Sequence, residues 1–313
     1  MLKNETYGIW SVAVFAHNEA KRITKALDSI VRASEGRRVE ITVLANGCKD
    51  RTSDVVREFA KKMSLENIHV VDISIGDKAN AWNIYIQDIA KSQKHKTISM
   101  HVFIDGDVVI EPGSLAALDA ALANNPEVNA VGAFPVSGRD KVAWKNRMES
   151  GGMLAGNLYA LSVDFVAKLQ ARRIRIPLGF IGEDWLVTLY ASSNLQPLIM
   201  YVDQHRRVIF APDAGFAFRS LCVWRASDIR IYLRRLWRYA LRSVQLEMLI
   251  HQLQYQNPET LPDDVKTIHM SYPLPSRLKW IGYLHLSLLR ILVIQWIRIC
   301  RSRSASVVPQ NHR

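Results

Sequence analysis

Through residue 135, short apolar runs alternate with segments whose apolar residues recur three and four positions apart, and most of the runs end in a polar cluster. Residues 10–16, 39–45, 68–73, 100–104 and 129–134 read as strands. Between them, 19–33 carries Ile23, Leu27, Ile30 and Val31 at helical spacing, and 52–63 carries Val55, Val56 and Phe59. Further helices are expected over 80–91 and from Pro112 to residue 124. Strands with no polar side must be covered on both faces, which implies an α/β fold built on a mostly parallel sheet flanked by helices.

The pattern is harder to follow beyond residue 140. A glycine-rich stretch at 151–156 precedes a helix over 163–172. Strands are expected at 173–177 and 197–203, with a helix over 184–192 between them. A long basic amphipathic helix spans 227–256 and a proline-containing connection 257–275. A last helix spans 276–300, and a disordered tail is expected over 301–313. The division that follows is a catalytic region 1–225, with a donor half 1–110 and an acceptor half 111–225, and a basic helical region 226–313.

Composition bounds the function. With 49% hydrophobic and 22% charged residues among 313, the chain is a folded one. Cys48, Cys222 and Cys300 lie far apart, which argues against a disulfide framework or structural zinc and suits a reducing compartment. The polar opening residues and the short apolar run at 9–16 do not make a signal peptide. A net charge of +12, concentrated after Arg219, points to an anionic partner: nucleic acid, lipid or a phosphorylated substrate.

Ligands of an open parallel sheet bind beyond the carboxyl ends of its strands. Polar clusters sit there repeatedly: His17-Asn18-Glu19, Asn46-Gly47-Cys48-Lys49-Asp50, Asp77-Lys78 and Asp105-Gly106-Asp107. Asp105 and Asp107 are two apart in an extended segment, so their carboxylates point the same way and can share one divalent cation. Oxygen ligands suit Mg²⁺ or Mn²⁺, and Gly106 leaves room for a diphosphate; the alternative is a turn with solvated acids. Gly182-Glu183-Asp184-Trp185 opens a helix, where acids favour the dipole, but the same acids can supply a general base beside a sugar hydroxyl. Lys78 can meet phosphates as a point charge, or be a surface lysine at a helix start.

Taken in order, these segments resemble the family 2 glycosyltransferases. Residues 12–19, with Asn18-Glu19, look like that family's opening strand and turn, and Asn46 to Thr52 like its second turn. Residues 77–83 resemble its lysine-containing donor loop, Asp105-Gly106-Asp107 its DxD metal motif, and Gly182 to Trp185 its Glu-Asp acceptor-side motif. The similarity runs from about residue 11 to 243. It implies a GT-A fold and an inverting single displacement from a nucleoside-diphosphate sugar.

By that resemblance Asn18, Glu19, Asn46, Asp50, Lys78, Asn83 and Asp105 form the donor side, with Arg235 or Arg238 as diphosphate contacts. Asp107, with Asp105, would ligate Mn²⁺ or Mg²⁺, Asp184 beside Glu183 would be the base, and Trp185 would face the acceptor. A UDP-sugar is the expected donor, although the family usually has Asp at position 46 and Asn46 leaves the base open. The family's processive synthases carry Gln-x-x-Arg-Trp; here Tyr232 to Arg238 keeps Arg and Trp out of that order, so a non-processive enzyme is expected.

Arg230, Arg234, Arg238 and Arg242 recur every four residues and share a helix face. In the last helix Lys279, Ser287, Arg290, Arg298 and Arg301 fall on one side, and Trp280, Leu284, Leu288, Leu292 and Trp296 on others. A charge near the middle of a span is unfavourable, so this helix is expected to lie on an anionic membrane surface; packing on the catalytic region and a true span are the alternatives. The whole reading is a peripheral enzyme on the cytoplasmic face of the membrane, acting on a lipid-linked or surface glycan. Nucleic acid is not expected, since no recognised motif accompanies the arginines. A sugar nucleotidyltransferase would need a glycine-rich phosphate loop after the first strand, where this chain has Ala16-His17-Asn18-Glu19. A degenerate transferase serving as a membrane or polyanion binding module is the non-enzymatic alternative.

Overall fold

The computed structural model describes residues 8–34, 36–138, 140–198, 206–219, 226–276 and 284–305. Most of the strand expected at 197–203 lies outside them, as do Lys279, Trp280 and residues 306–313.

The amino-terminal half follows the alternation. Strand β1 (Ile9–Ala16) leads through α1 (Ile23–Ala33) to β2 (Val39–Asn46), then α2 (Thr52–Lys62) to β3 (Ile68–Ile73). Helix α3 (Lys78–Ile84) continues through a π-turn, Tyr85–Ile89, into the short α4 (Ala90–Ser92), and β4 (Ile98–Asp105) follows. The two-residue β5 (Val109–Ile110), α5 (Ser114–Ala123) and β6 (Ala130–Pro135) come next. After α6 (Lys141–Gly151), β7 (Leu158–Ser162) leads into α7 (Val163–Ala171), α8 (Glu183–Ser192) and β8 (Val208–Ala217). The chain ends in α9 (Ala226–Leu253), α10 (Val265–Ser271) and α11 (Leu284–Ala305).

The eight strands form one sheet in the order β3-β2-β1-β4-β7-β6-β8-β5. From β3 to β4 it is parallel. Beyond β4 it is mixed, because β7 runs antiparallel to β4 and β6, and β5 antiparallel to β8. Residues 173–177 form no strand: Ile174 and Ile176 are buried in an extended link, and Leu178 makes a single bridge to Asp264.

Successive residues of a strand point to opposite faces, and each face has its own core. Val12 and Val14 pack with Ile23, Leu27 and Ile30 of α1. Ala13 and Phe15 face Trp82 and Tyr85, in a cluster that also takes in Val244 and Met248 of α9 and Val293, Ile294 and Ile297 of α11. The carboxy-terminal helices therefore share a core with the sheet.

Two expectations for the last helix are corrected. It continues to Ala305, through residues assigned to the tail, because Arg301 donates to the carbonyls of His269 (2.5 Å) and Tyr272 and fixes this end on the protein. Its polar side is also divided, with Arg298 exposed and Arg290 turned inward. Arg290 is fully buried, with Glu247 of α9 at 2.9 Å, while Leu288, Leu292, Trp296 and Ile299 are exposed.

Candidate active site

Strands β2 and β3 lie on one side of β1 and β4 on the other, so the chain changes direction at β1 and opens a crevice at the carboxyl ends. The turn after β4 lies against the end of β1: Gly106 N donates to Phe15 O at 2.8 Å. A Cβ on Gly106 would come within 3.0 Å of that oxygen and 3.1 Å of Ala16 Cα, so glycine lets the two strand ends meet. Asp105 and Asp107 flank this contact.

Asp77 caps α3, accepting from Ala79 N at 2.7 Å and Asn80 N at 3.2 Å, and its other oxygen accepts from Gly179 N. The cap places Lys78 over the crevice. Its Nζ stands 2.5 Å from Asp105 Oδ1 and 2.9 Å from Glu183 Oε1, and donates to Gly156 O at 3.2 Å. One ammonium thus ties β4, α8 and the glycine-rich loop together. Burial works against its charge, but Asp105 and Glu183 outweigh burial and hold it protonated well above the ordinary lysine range. Burial pushes the Asp105 carboxyl up to about 6 against the pull of Lys78, whereas at Glu183 the lysine prevails over burial and keeps the carboxyl low.

Helix α8 is preceded by Gly182, whose φ of +105° and close packing on Arg242 leave no room for a side chain. Asp184 follows, its Oδ1 3.8 Å from the Arg242 guanidinium. Burial and the neighbouring Glu183 raise its carboxyl; Arg242 and Lys78 pull it down by less. A carboxylate tuned in this way can accept a proton.

Two cavities reach the start of α8. One of about 460 Å³ is lined by Asn46, Lys78, Asp105, Asp107, Glu183 and Arg238 among others. A larger one of about 740 Å³ is lined by Trp185 and Thr188 of α8, Glu149, and Arg206. Glu183 faces the first cavity and Trp185 the second, with Asp184 between them in the chain.

The carboxylates that could hold a divalent cation are Asp107 and Asp105. Glu19 is raised by burial and then by the charge of Asp107, an excess of negative charge that a cation would relieve. Among the described residues no three His, Cys, Asp or Glu gather into a complete ligand set. Two carboxylates with the remaining positions left to phosphate and water is how Mg²⁺ and Mn²⁺ bind beside nucleotides, so the residues fit the ion.

Several residues named from the sequence have other work. Asp50 accepts from Ala20 N and Thr52 and braces the first turn. Asn18 sits at φ +57° and accepts from Lys49 N at 2.7 Å. Asn83 exchanges two 2.8 Å hydrogen bonds with the backbone of Ile176, away from the cavity. Arg235 is exposed and off the cavity wall, which α9 builds from Arg234, Trp237 and Arg238. Arg242 was overlooked as a site residue; its signal was its place one turn after Arg238 on the same helix face.

Residues 11–178, more than half the chain, match the profile of glycosyl transferase family 2. The chain belongs to glycosyl transferase family 2. No curated protein matches its sequence. Among solved structures, this family 2 chain is similar to the mannosyltransferase PcManGT of Pyrobaculum calidifontis in complex with GDP-Man and Mn²⁺. The TM-score is 0.58 at 19% identity, over 96% of this chain and 76% of that one. It is also similar to glucosyl-3-phosphoglycerate synthase of Mycobacterium tuberculosis in complex with Mn²⁺, UDP and phosphoglyceric acid. There the TM-score is 0.50 at 19% identity, over 81% of each chain. The fold of this glycosyltransferase is therefore the GT-A fold, with a carboxy-terminal helical region.

Proposed function

We propose that this family 2 glycosyltransferase moves a sugar from a nucleoside-diphosphate donor to an acceptor hydroxyl by a single inverting displacement, without processivity. The observation that carries the reading is the Lys78–Asp105–Glu183 ion cluster, which joins the smaller cavity to the first turn of α8, where Asp184 follows Glu183. Arg234 and Arg238 face the diphosphate from α9. The acceptor enters from the larger cavity, against Trp185, and Asp184 removes its hydroxyl proton as the oxygen attacks the anomeric carbon. A divalent cation held by Asp107 and Asp105 would offset charge on the departing nucleoside diphosphate. Structures similar in fold were solved with Mn²⁺ and GDP-Man or UDP, which supports both metal and donor class.

The exposed apolar face of α11 beside the arginines of α9 supports a second part of the proposal, docking on an anionic membrane, where the acceptor is a lipid-linked or surface glycan. The free thiols of Cys48 and Cys300 suit the cytoplasmic side. No helix among the described residues is long and apolar enough to cross a membrane. The test of the chemistry is donor hydrolysis or transfer with Mn²⁺ or Mg²⁺ and with chelator. Activity that needs the metal and is lost in Asp107→Ala is expected; full activity in chelator would sink the reading.

A further inference from the structure

The donor cavity has two unlike ends. Lys78, Asp105 and Glu183 are joined by ion pairs on one side, and His17 lies with Asn46 and Gly76 on the other; in a transferase the first group would meet diphosphate, metal and sugar, and the second the nucleobase. This placement rests on the transferase reading above.

At the base end nearly every polar atom is already used. Asn46 Oδ1 accepts from Asp77 N at 2.8 Å, which fixes the amide so that its oxygen faces the backbone. His17 Nδ1 lies 2.6 Å from the Asn46 carbonyl oxygen, so it donates there, and His17 Nε2 accepts from Asn18 Nδ2 at 3.0 Å. Asn18 Oδ1 is taken by Lys49 N. The loops cannot readily shift, because Gly47, at φ +59°, leaves only 2.4 Å between its would-be Cβ and Gly76 Cα. Among the described residues the Asn46 amide nitrogen has no protein partner, and it is not sealed from solvent. The site therefore offers a base a hydrogen-bond donor where an aspartate would offer an acceptor.

We infer that Asn46 reads the nucleobase through its amide N–H and selects cytosine over uracil. Cytosine carries a lone pair on N3, which accepts from Asn46; uracil carries a hydrogen on N3, which opposes the amide hydrogens. One satisfied hydrogen bond against a desolvated donor pair is worth about tenfold in affinity or more. The donor class is then a cytidine-diphosphate sugar.

The experiment is calorimetric titration of the full chain with CDP, UDP and GDP, each with Mn²⁺. CDP binding at least about tenfold tighter than UDP is the expected result. Asn46→Asp should reverse that order, because Asp77 N keeps one carboxylate oxygen and the other accepts from uracil N3–H. UDP equal to or tighter than CDP in the natural chain, or GDP tightest of the three, overturns the inference and leaves the transferase reading intact. An unchanged CDP-to-UDP ratio in a folded Asn46→Asp variant overturns the role of Asn46. Binding of none of the three overturns the transferase reading and this inference together.

Discussion

A base needs a proton affinity above that of an ordinary carboxyl, and at Asp184, the proposed base, opposed influences set it. Burial and Glu183 raise the carboxyl, and Arg242 and Lys78 restrain it. Transfer requires the ionised form, so kcat/KM should fall as pH drops through that raised value. Arg242→Gln removes a lowering influence, so the acidic limb should move to higher pH; a limb that stays put would mean that Arg242 does not act on the base. Lys78 is subject to a different balance. Lys78→Met leaves Asp105 and Glu183 without their counter-ion, a loss of roughly 3 kcal/mol for partly shielded groups. With the lysine gone, both carboxyls bind protons more readily folded than unfolded, so the variant regains stability as pH falls. Without the lowering pull of Lys78 the variant's Asp105 lies above the natural value of about 6, so the gap from the natural chain should be widest at high pH, shrink as pH falls towards about 6 and be narrow below it. Thermal melts at pH 5 and pH 8 would show this, and a gap independent of pH would exclude the mechanism. The position of Asp105 and Asp107 at the end of β4 was legible because an apolar run leads into them, and that of Glu183 and Asp184 in the first turn of α8 because a glycine precedes them. That Lys78 would be consumed by carboxylates was not legible, since it depends on α8 arriving from a hundred residues away.

Elements were legible where one period dominated. Strands β1 to β4 and β6 carry largely apolar runs, and their predicted bounds fall within two residues of the observed ones. The mixed half of the sheet was hidden for identifiable reasons. Strand β8 contains Pro212 and Gly215, which read as turn residues, and β5 has only two residues. Helix α6, Lys141–Gly151, has no apolar face to find, since Met148 is its one buried residue. The last helix misled in the opposite direction. Its period was plain, but period alone does not say which face is inward, and Arg290 turned toward α9 because Glu247, Ser243 and Ser276 O could satisfy it. Arg290→Ala should therefore destabilise the chain by about 3 kcal/mol, because it removes a fully buried side chain together with its bonds to Glu247, Ser243 and Ser276 O. The pair Arg290→Met with Glu247→Leu should be close to neutral, because apolar replacements of matching size avoid desolvating either charge. A double variant as unstable as the single one would show that the pair itself is required to seat α11.

On the scale of the whole molecule, α9 joins two surfaces. Its middle closes the cavity lined by Lys78 and Asp105 and places Arg242 beside Asp184, and its first half projects Ile229, Ile231, Tyr232 and Leu233 into solvent among Arg230, Arg234 and Arg235. Leu288, Leu292, Trp296 and Ile299 add a second exposed apolar row on α11, the helix that packs against it. Water does not favour such rows, and a bilayer surface would accept both the apolar side chains and the arginines. Each arginine near an anionic surface contributes about 1 kcal/mol, a contribution that salt screens. The full chain should therefore sediment with phosphatidylserine vesicles at low salt and much less at high salt. Leu288→Ser with Leu292→Ser should weaken that binding about tenfold or more with little change in melting temperature, because both side chains are already in water. Equal binding by this variant, or retention by duplex DNA in place of vesicles, would assign the arginines to another anion. A vesicle-bound enzyme would hold the mouth of its larger cavity at a set position relative to the bilayer, so the double variant should lose transfer to a membrane-embedded acceptor and keep hydrolysis of the soluble donor.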